Sequence, residues 1–218
     1  MHSLILILVL MGIPAVGLFV LALWRAPWRS WLEGHRDRQN VWGLSLLLTA
    51  LITWMRIDAA PGLSLQLLIV PSMTLMHGWA LALIANGIAI AIACLFHGHA
   101  EWTNWPNYFL FDVALPAGFI TLLHRVLTQR LPRHFVVYFF GTVFAGSILS
   151  FLLSGAARLA LLAALDALPG GMVLRDYAVL LVMLGFAQGT INGMVMSTAV
   201  MFRPEWVRSF DPKVYFRR

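Results

Sequence analysis

The residues of this chain that could do chemistry are few, and they sit inside long apolar runs. Asp112 lies in one such run, one helical turn before Pro116, and Asn107 precedes it by about a turn on a similar face. Gln188 and Asn192 stand one turn apart in another, FAQGTINGMVMSTAVMFRPEW at 186–206. An unsatisfied polar group in hydrocarbon costs several kcal/mol, so these positions carry information. A carboxylate there marks a solute or ion pathway, or a structural pair with another span's amide or with Arg158. The two amides act either as ligands or as hydrogen bonds between helices, worth about 0.6–2 kcal/mol each. Asn86 reads as such a bond as well.

Histidine brings metal chemistry into view at two places. Met1-His2 offers a terminal amine, a backbone amide and an imidazole close together, a nitrogen chelate suited to nickel, copper or cobalt. His97 and His99, with Glu101 nearby, form a loop His-x-His that lacks a fixed third ligand. His35, His124 and His134 fall in basic strips, where solvation is expected, and His77 falls at a tight turn. No two histidines are placed on facing helices at matched depth, so haem is not expected. Met183, Met194 and Met196 read as packing residues. There is no Gly-x-Ser-x-Gly, His-Glu-x-x-His, phosphate loop or paired-Asp motif. The expectation is therefore not an enzyme, and any active transport needs an external motor.

The elements that must position these residues follow from composition. The chain is 61% hydrophobic and 11% charged, with mean hydropathy +0.83. Soluble domains carry about 25% charged residues, so that class is excluded, and the apolar runs lack the alternation of a β-barrel. The expected fold is all-α: a polytopic helical bundle forming a single integral membrane domain over 1–218. A crossing needs about 20 residues. Seven segments qualify, at 3–24, 40–57, 63–76, 79–97, 106–124, 135–157 and 177–202. The first is too long and lacks the basic start of a cleaved signal, so it reads as a retained span. The third is short and contains Pro71, so it is expected to be broken or tilted and tolerated only inside the bundle.

Arginines orient the bundle. Twelve of the fifteen basic residues follow the first, fifth and seventh segments, and Arg56, Arg158 and Arg175 fall on the opposite side. The positive-inside rule puts the twelve in the cytoplasm, with the N-terminus outside and the C-terminus inside. Trp24, Trp28 and Trp31 interleave with arginines up to Asn40, a strip suited to the interface of an anionic membrane. The net charge of +6 has the same source and gives no case for nucleic acid. The single cysteine, Cys94, excludes an internal disulfide. Gly185, Gly189 and Gly193, four apart, give the last span a face without side chains, expected to pack another helix, and Ser147, Ser150 and Ser154 with Gly146 form a second small face.

The order of features resembles the CbiM/NikM family, the membrane substrate-binding subunits of cobalt and nickel energy-coupling-factor transporters, in its divergent proteobacterial permease-like branch. The likeness runs from about Arg25 to Arg218. It is carried by GLSLQLL at 62–68, LTQRLPRHFVVYFF at 127–140, QGTINGMV at 188–195 and FRPEWVRSFDPKVYF at 202–216. The resemblance implies seven spans, an outer N-terminus and a metal held by the terminal amine of Met1, by His2 and by a third-span histidine, below an Asn-bearing loop and beside a last-span glutamate. His2 is present and Asn107 matches the asparagine, but the Pro-Asp-Gly loop after His2 is absent. Gln66 stands where the histidine is expected and Gln188 where the glutamate is. Replacing an imidazole and a carboxylate by amides removes a strong donor and a countercharge for a divalent cation.

Two functions follow as expectations. In one, the chain is a divergent substrate-binding membrane subunit of such a transporter, with a divalent transition metal as a conceivable substrate. His2, Gln66, Asn107, Asp112, Gln188 and Asn192 line its pocket, and coupling and ATPase subunits supply energy. In the other, it is a non-transporting accessory subunit of a larger membrane complex. Both place it in the bacterial inner membrane, within the lipid bilayer and beside other membrane subunits.

Overall fold

A computed structural model describes residues 2–33, 36–55, 57–60, 63–97, 99–166, 168 and 170–215, leaving the side chains of 2–10, 57–60, 63–64, 97, 99–101 and 172 outside the description. The chain is helical. Among the described residues, four helical stretches are long and apolar enough to cross a membrane: Trp79–Phe96, Trp102–Arg130, Val137–Ala164 and Val173–Phe202. Ahead of them come α1 (His2–Arg25), the one-turn α2 (Trp28–Leu32) and α3 (Arg36–Trp54). Trp28 Nε1 donates to the Leu23 carbonyl at 2.7 Å, satisfying an acceptor left open in the last turn of α1.

The segment expected at 63–76 is not a continuous helix. Its first residues form β2 (Leu63–Leu65), which pairs antiparallel with β1 (Ile57–Ala60) in the register Ile57 to Leu65 and Asp58 to Ser64. The chain then runs irregularly over 66–69 to α4 (Val70–His77). This short hairpin is a local exception within an otherwise helical chain. Pro71 accounts for where α4 begins, because its fixed φ and missing N–H suit a first helical turn and not a helix interior. All eight residues of α4 are buried. Irregular backbone therefore lies inside the protein, where neighbours can satisfy it.

The next helix, α5 (Trp79–His97), is the central one: 67% of its apolar window is buried, against 28–44% for the other three. Alanines and glycines allow this enclosure. A side chain at Gly87 would meet the Phe19 ring at 2.7 Å and the Phe109 ring at 3.0 Å. Trp105 stacks on Phe109 at 5.0 Å between centroids and donates Nε1–H to the Gly87 carbonyl at 3.0 Å.

The following stretch contains α6 (Trp105–Tyr108), a π-helical segment at Phe109–Ala114 and α7 (Leu115–Arg130). Pro116 explains the π segment, since its ring would clash with the carbonyl of Asp112 in a regular α-helix. The Leu115 N–H reaches back to Leu110, and Pro116 has no N–H to give. The Phe111 carbonyl instead accepts from the Ser154 hydroxyl. A second π segment, Val137–Ala145, leads into α8 (Gly146–Ala164), and α9 (Gly171–Phe202) follows. The helices α8 and α9 meet through small residues. A Cβ at Gly189 would lie 2.7 Å from Ile148 and 3.1 Å from the Phe144 carbonyl, and one at Gly155 would lie 2.4 Å from Leu181. Gly185 and Gly193 sit on the same seam with more room, 3.4 Å from Leu152 and 3.5 Å from Phe139. The described residues close with a short 3-10 turn, Pro204–Trp206, and α10 (Pro212–Tyr215).

Candidate functional site

The broken segment supplies the need that organises the polar core. Between β2 and α4 the chain is irregular: the Ile69 carbonyl already accepts from the Met73 N–H at 2.9 Å, but the carbonyls of Gln66 and Leu68 and the Ser72 amide require partners from elsewhere. The two amides of α9 provide them. Gln188 Nε2 donates to the Gln66 carbonyl at 3.1 Å, and Asn192 Nδ2 donates to the Leu68 carbonyl at 2.9 Å. Asn192 Oδ1 accepts from the Ser72 backbone N–H at 3.2 Å and from the Ser72 hydroxyl at 2.6 Å. Ile69, which precedes α4, has no capping side chain. Asn192 thus caps α4 from a different helix, in the role an N-cap side chain ordinarily fills.

The side chain of Gln66 continues the network inward. Its Nε2 donates to Asp112 Oδ2 at 3.0 Å, and Asp112 Oδ1 accepts from Arg158 Nη2 at 2.8 Å. The π segment and Pro116 hold Asp112 facing α8, and the Arg158 and Asp112 side chains are only 3% and 8% exposed. The guanidinium lies 5.9 Å from the Tyr108 ring centroid and 5.8 Å from that of Phe111, distances at which aromatic faces attract a cation. Charge is therefore balanced inside the core: the carboxylate is neutralised by an arginine, which leaves it little attraction for a divalent cation.

The structure brings together Gln66, Asp112, Gln188 and Asn192, all buried, out of the residues expected to line a pocket. Asn107 stays apart. It is half-buried in α6, and no hydrogen bond joins it to these four, although its Oδ1 is buried without a partner. Met1 and the His2 side chain lie outside the described residues, as do the side chains of His97, His99 and Glu101. Among the described residues, no group of three or more His, Cys, Asp or Glu is placed to hold a metal ion. Ser72 was not recognisable as a site residue, because a serine beside Pro71 reads as an ordinary helix start. The role of Ser154 on Phe111 was also hidden, since a serine on a small-residue face reads as packing. Ser147 and Ser150 bond carbonyls of their own helix, at 2.6 and 3.0 Å.

Chemically, the site is a closed polar bridge between four elements with one open acceptor. Both Asn192 amide hydrogens and its oxygen are engaged, the second hydrogen on the Gln188 carbonyl at 3.0 Å. Gln66 Oε1 is buried with no hydrogen-bond partner among the described residues. No model of a known protein family, no curated protein and no solved structure matches this chain, so the functional reading rests on the residues and geometry described above.

Proposed function

We propose that this chain is a divergent substrate-binding, permease-like membrane subunit of an energy-coupling-factor type transporter in the bacterial inner membrane. The observation that carries the reading is the interrupted segment 63–77, buried over 65–77 apart from half-buried Leu67 and held by side chains of the last long helix. Transporters build solute sites from such discontinuous segments near mid-membrane, because only there does unpaired backbone meet polar cargo.

Gln66 contacts the solute through Oε1, with Asp112, Gln188 and Asn192 fixing its position and Asn107 and His2 toward the outer side. Coupling and ATPase subunits supply the energy, as the chain carries no phosphate loop. A transition-metal ion is the cargo that the family resemblance implies. The pairing of Asp112 with Arg158 favours a polar solute carrying a hydrogen-bond donor over a bare divalent cation.

A second reading, an accessory subunit that packs in a larger membrane complex, is favoured by the complete engagement of Asn192 and Asp112. Purification of the tagged chain from its native membrane in mild detergent separates the two. Co-elution of an ATPase with a coupling subunit supports the transporter; a stable membrane complex lacking any ATPase overturns it. Calorimetry with nickel, cobalt, copper and zinc beside His2→Ala then decides the cargo. Binding that is lost without His2 names a metal, and no binding leaves a polar organic solute.

A further inference from the structure

The arginine-rich end of the bundle carries a cleft that the polar core does not use. The C-terminal segment is laid across the end of α4: the Arg208 N–H donates to the Met76 carbonyl at 3.0 Å and the Ser209 N–H to the Leu75 carbonyl at 3.1 Å. Tyr138 and Ser209 share a hydroxyl hydrogen bond of 2.7 Å that pins the segment from α8's side of the bundle. These bonds place Arg208 over Gly78, whose φ of +89° disfavours any side chain and where an added Cβ would lie 3.0 Å from the Arg208 guanidinium. Two adjoining cavities open here, of about 260 and 440 Å³, sharing Pro27, His77, Leu81 and Arg208.

Their polar lining is dominated by donors. The larger contains Arg25, Arg125 and Arg208 with His77 and His124, and no acid. The smaller adds Trp31 and Arg38, with Glu205 at its side already bonded to Arg203 at 3.4 Å. Two polar atoms in the smaller cavity's lining, Trp31 Nε1 and His77 Nε2, are buried with no protein partner, and His77 as a whole is 8% exposed. An indole N–H only donates, and an arginine only donates, so the complementary ligand is rich in acceptors and negatively charged. The His77 imidazole can present Nε2–H to the same acceptor.

The apolar surroundings choose between a free anion and an amphiphile. The smaller cavity shares Val41, Met76 and Trp206 with a third space of about 660 Å³ on the outer surface, lined chiefly by Met194, Val195, Ala199 and Phe202. A polar pocket that runs directly into an apolar groove, beside interfacial tryptophans, fits a headgroup and its acyl chain. We propose that this cleft and groove form a binding site for an anionic phospholipid, its phosphate held by Arg208, Arg38, Trp31 and His77 and one acyl chain lying along Met76 and Phe202. This goes beyond the diffuse attraction of a basic surface to anionic membranes, because it assigns named donors to one phosphate.

Native mass spectrometry of the full chain in mild detergent tests it, with phosphatidylglycerol, phosphatidylcholine and inorganic phosphate added separately at equal concentration. Phosphatidylglycerol occupancy is expected to exceed that of phosphatidylcholine about tenfold, and Arg208→Gln to reduce it about tenfold, as for loss of one charge-assisted bond. Trp31→Phe removes the N–H together with the pyrrole half of an indole that packs edge-on against Trp28 and Trp42, so its thermal unfolding is measured alongside; a fewfold loss of lipid in a variant that unfolds as the parent does is expected. Equal retention of the two lipids, or Trp31→Phe and Arg208→Gln variants that bind as the parent does, overturns the site. Inorganic phosphate that binds and displaces the lipid at equal concentration overturns the lipid assignment in favour of a free anion.

Discussion

Removing the Asn192 side chain should unlatch the interrupted segment. In an Asn192→Ala variant the Leu68 carbonyl loses its 2.9 Å donor and the Ser72 amide its 3.2 Å acceptor, both in the protein interior. The Ser72 hydroxyl loses its 2.6 Å bond but retains the Asn192 backbone oxygen, 3.4 Å away, as a substitute. Two buried groups are then unpaired, at about 1–3 kcal/mol each. Interhelical bonds in membrane proteins average about 0.6 kcal/mol, so the bonds lost here set a floor of about 2 kcal/mol. The expected destabilisation is about 2–5 kcal/mol, read by unfolding in mixed detergent–SDS micelles. The loss should also be local. Amide exchange in the first turn of α4, at Ser72 and Met73, should accelerate, while exchange in α5 stays slow. Asn86 is the comparison, since its nitrogen bonds the Ala82 carbonyl of its own helix at 2.7 Å and Asn86→Ala frees no backbone group of another element. A cost below about 1 kcal/mol for Asn192→Ala, or exchange that rises equally everywhere, would refute the idea that α9 caps α4.

The Asp112–Arg158 pair makes a second case: Asp112→Asn or Arg158→Met alone should cost about 3–5 kcal/mol, and the double variant less than the sum, in the same unfolding assay; additive losses would show that the pair is not coupled. Along the α8–α9 seam, Gly189→Ala should destabilise by about 1–3 kcal/mol because its Cβ would press on Ile148 and on the Phe144 carbonyl. Gly193→Ala, with 3.5 Å of clearance, should be neutral or stabilising by a few tenths to about 1 kcal/mol, and thermal unfolding in detergent distinguishes the two.

How much of this was legible in the residues differs by element. The long helices were, since an apolar run of about 20 residues with basic ends has few other physical solutions. The weakness of the third segment was readable from Pro71 and from its length. That it begins in a hairpin was not, because pairing with Ile57–Ala60 is a contact between strands, and short apolar runs carry no reliable strand signature. Polarity marked Asp112, Gln188 and Asn192 as important without saying for what. The alternative of an Asp112–Arg158 pair could be stated from charge alone; its 2.8 Å geometry could not.

What the sequence determined by itself is the class of solvent this protein needs and the positions at which it departs from that solvent. Hydropathy and charge act residue by residue, so they survive reading along the chain. The tertiary structure alone decided what the departures do. Gln188 and Asn192, more than a hundred positions from the segment that they hold, bond its backbone, and Gln66 turns that same segment toward Asp112. A hydrogen bond is a matter of a few tenths of an ångström in three dimensions, and no spacing along the sequence encodes it.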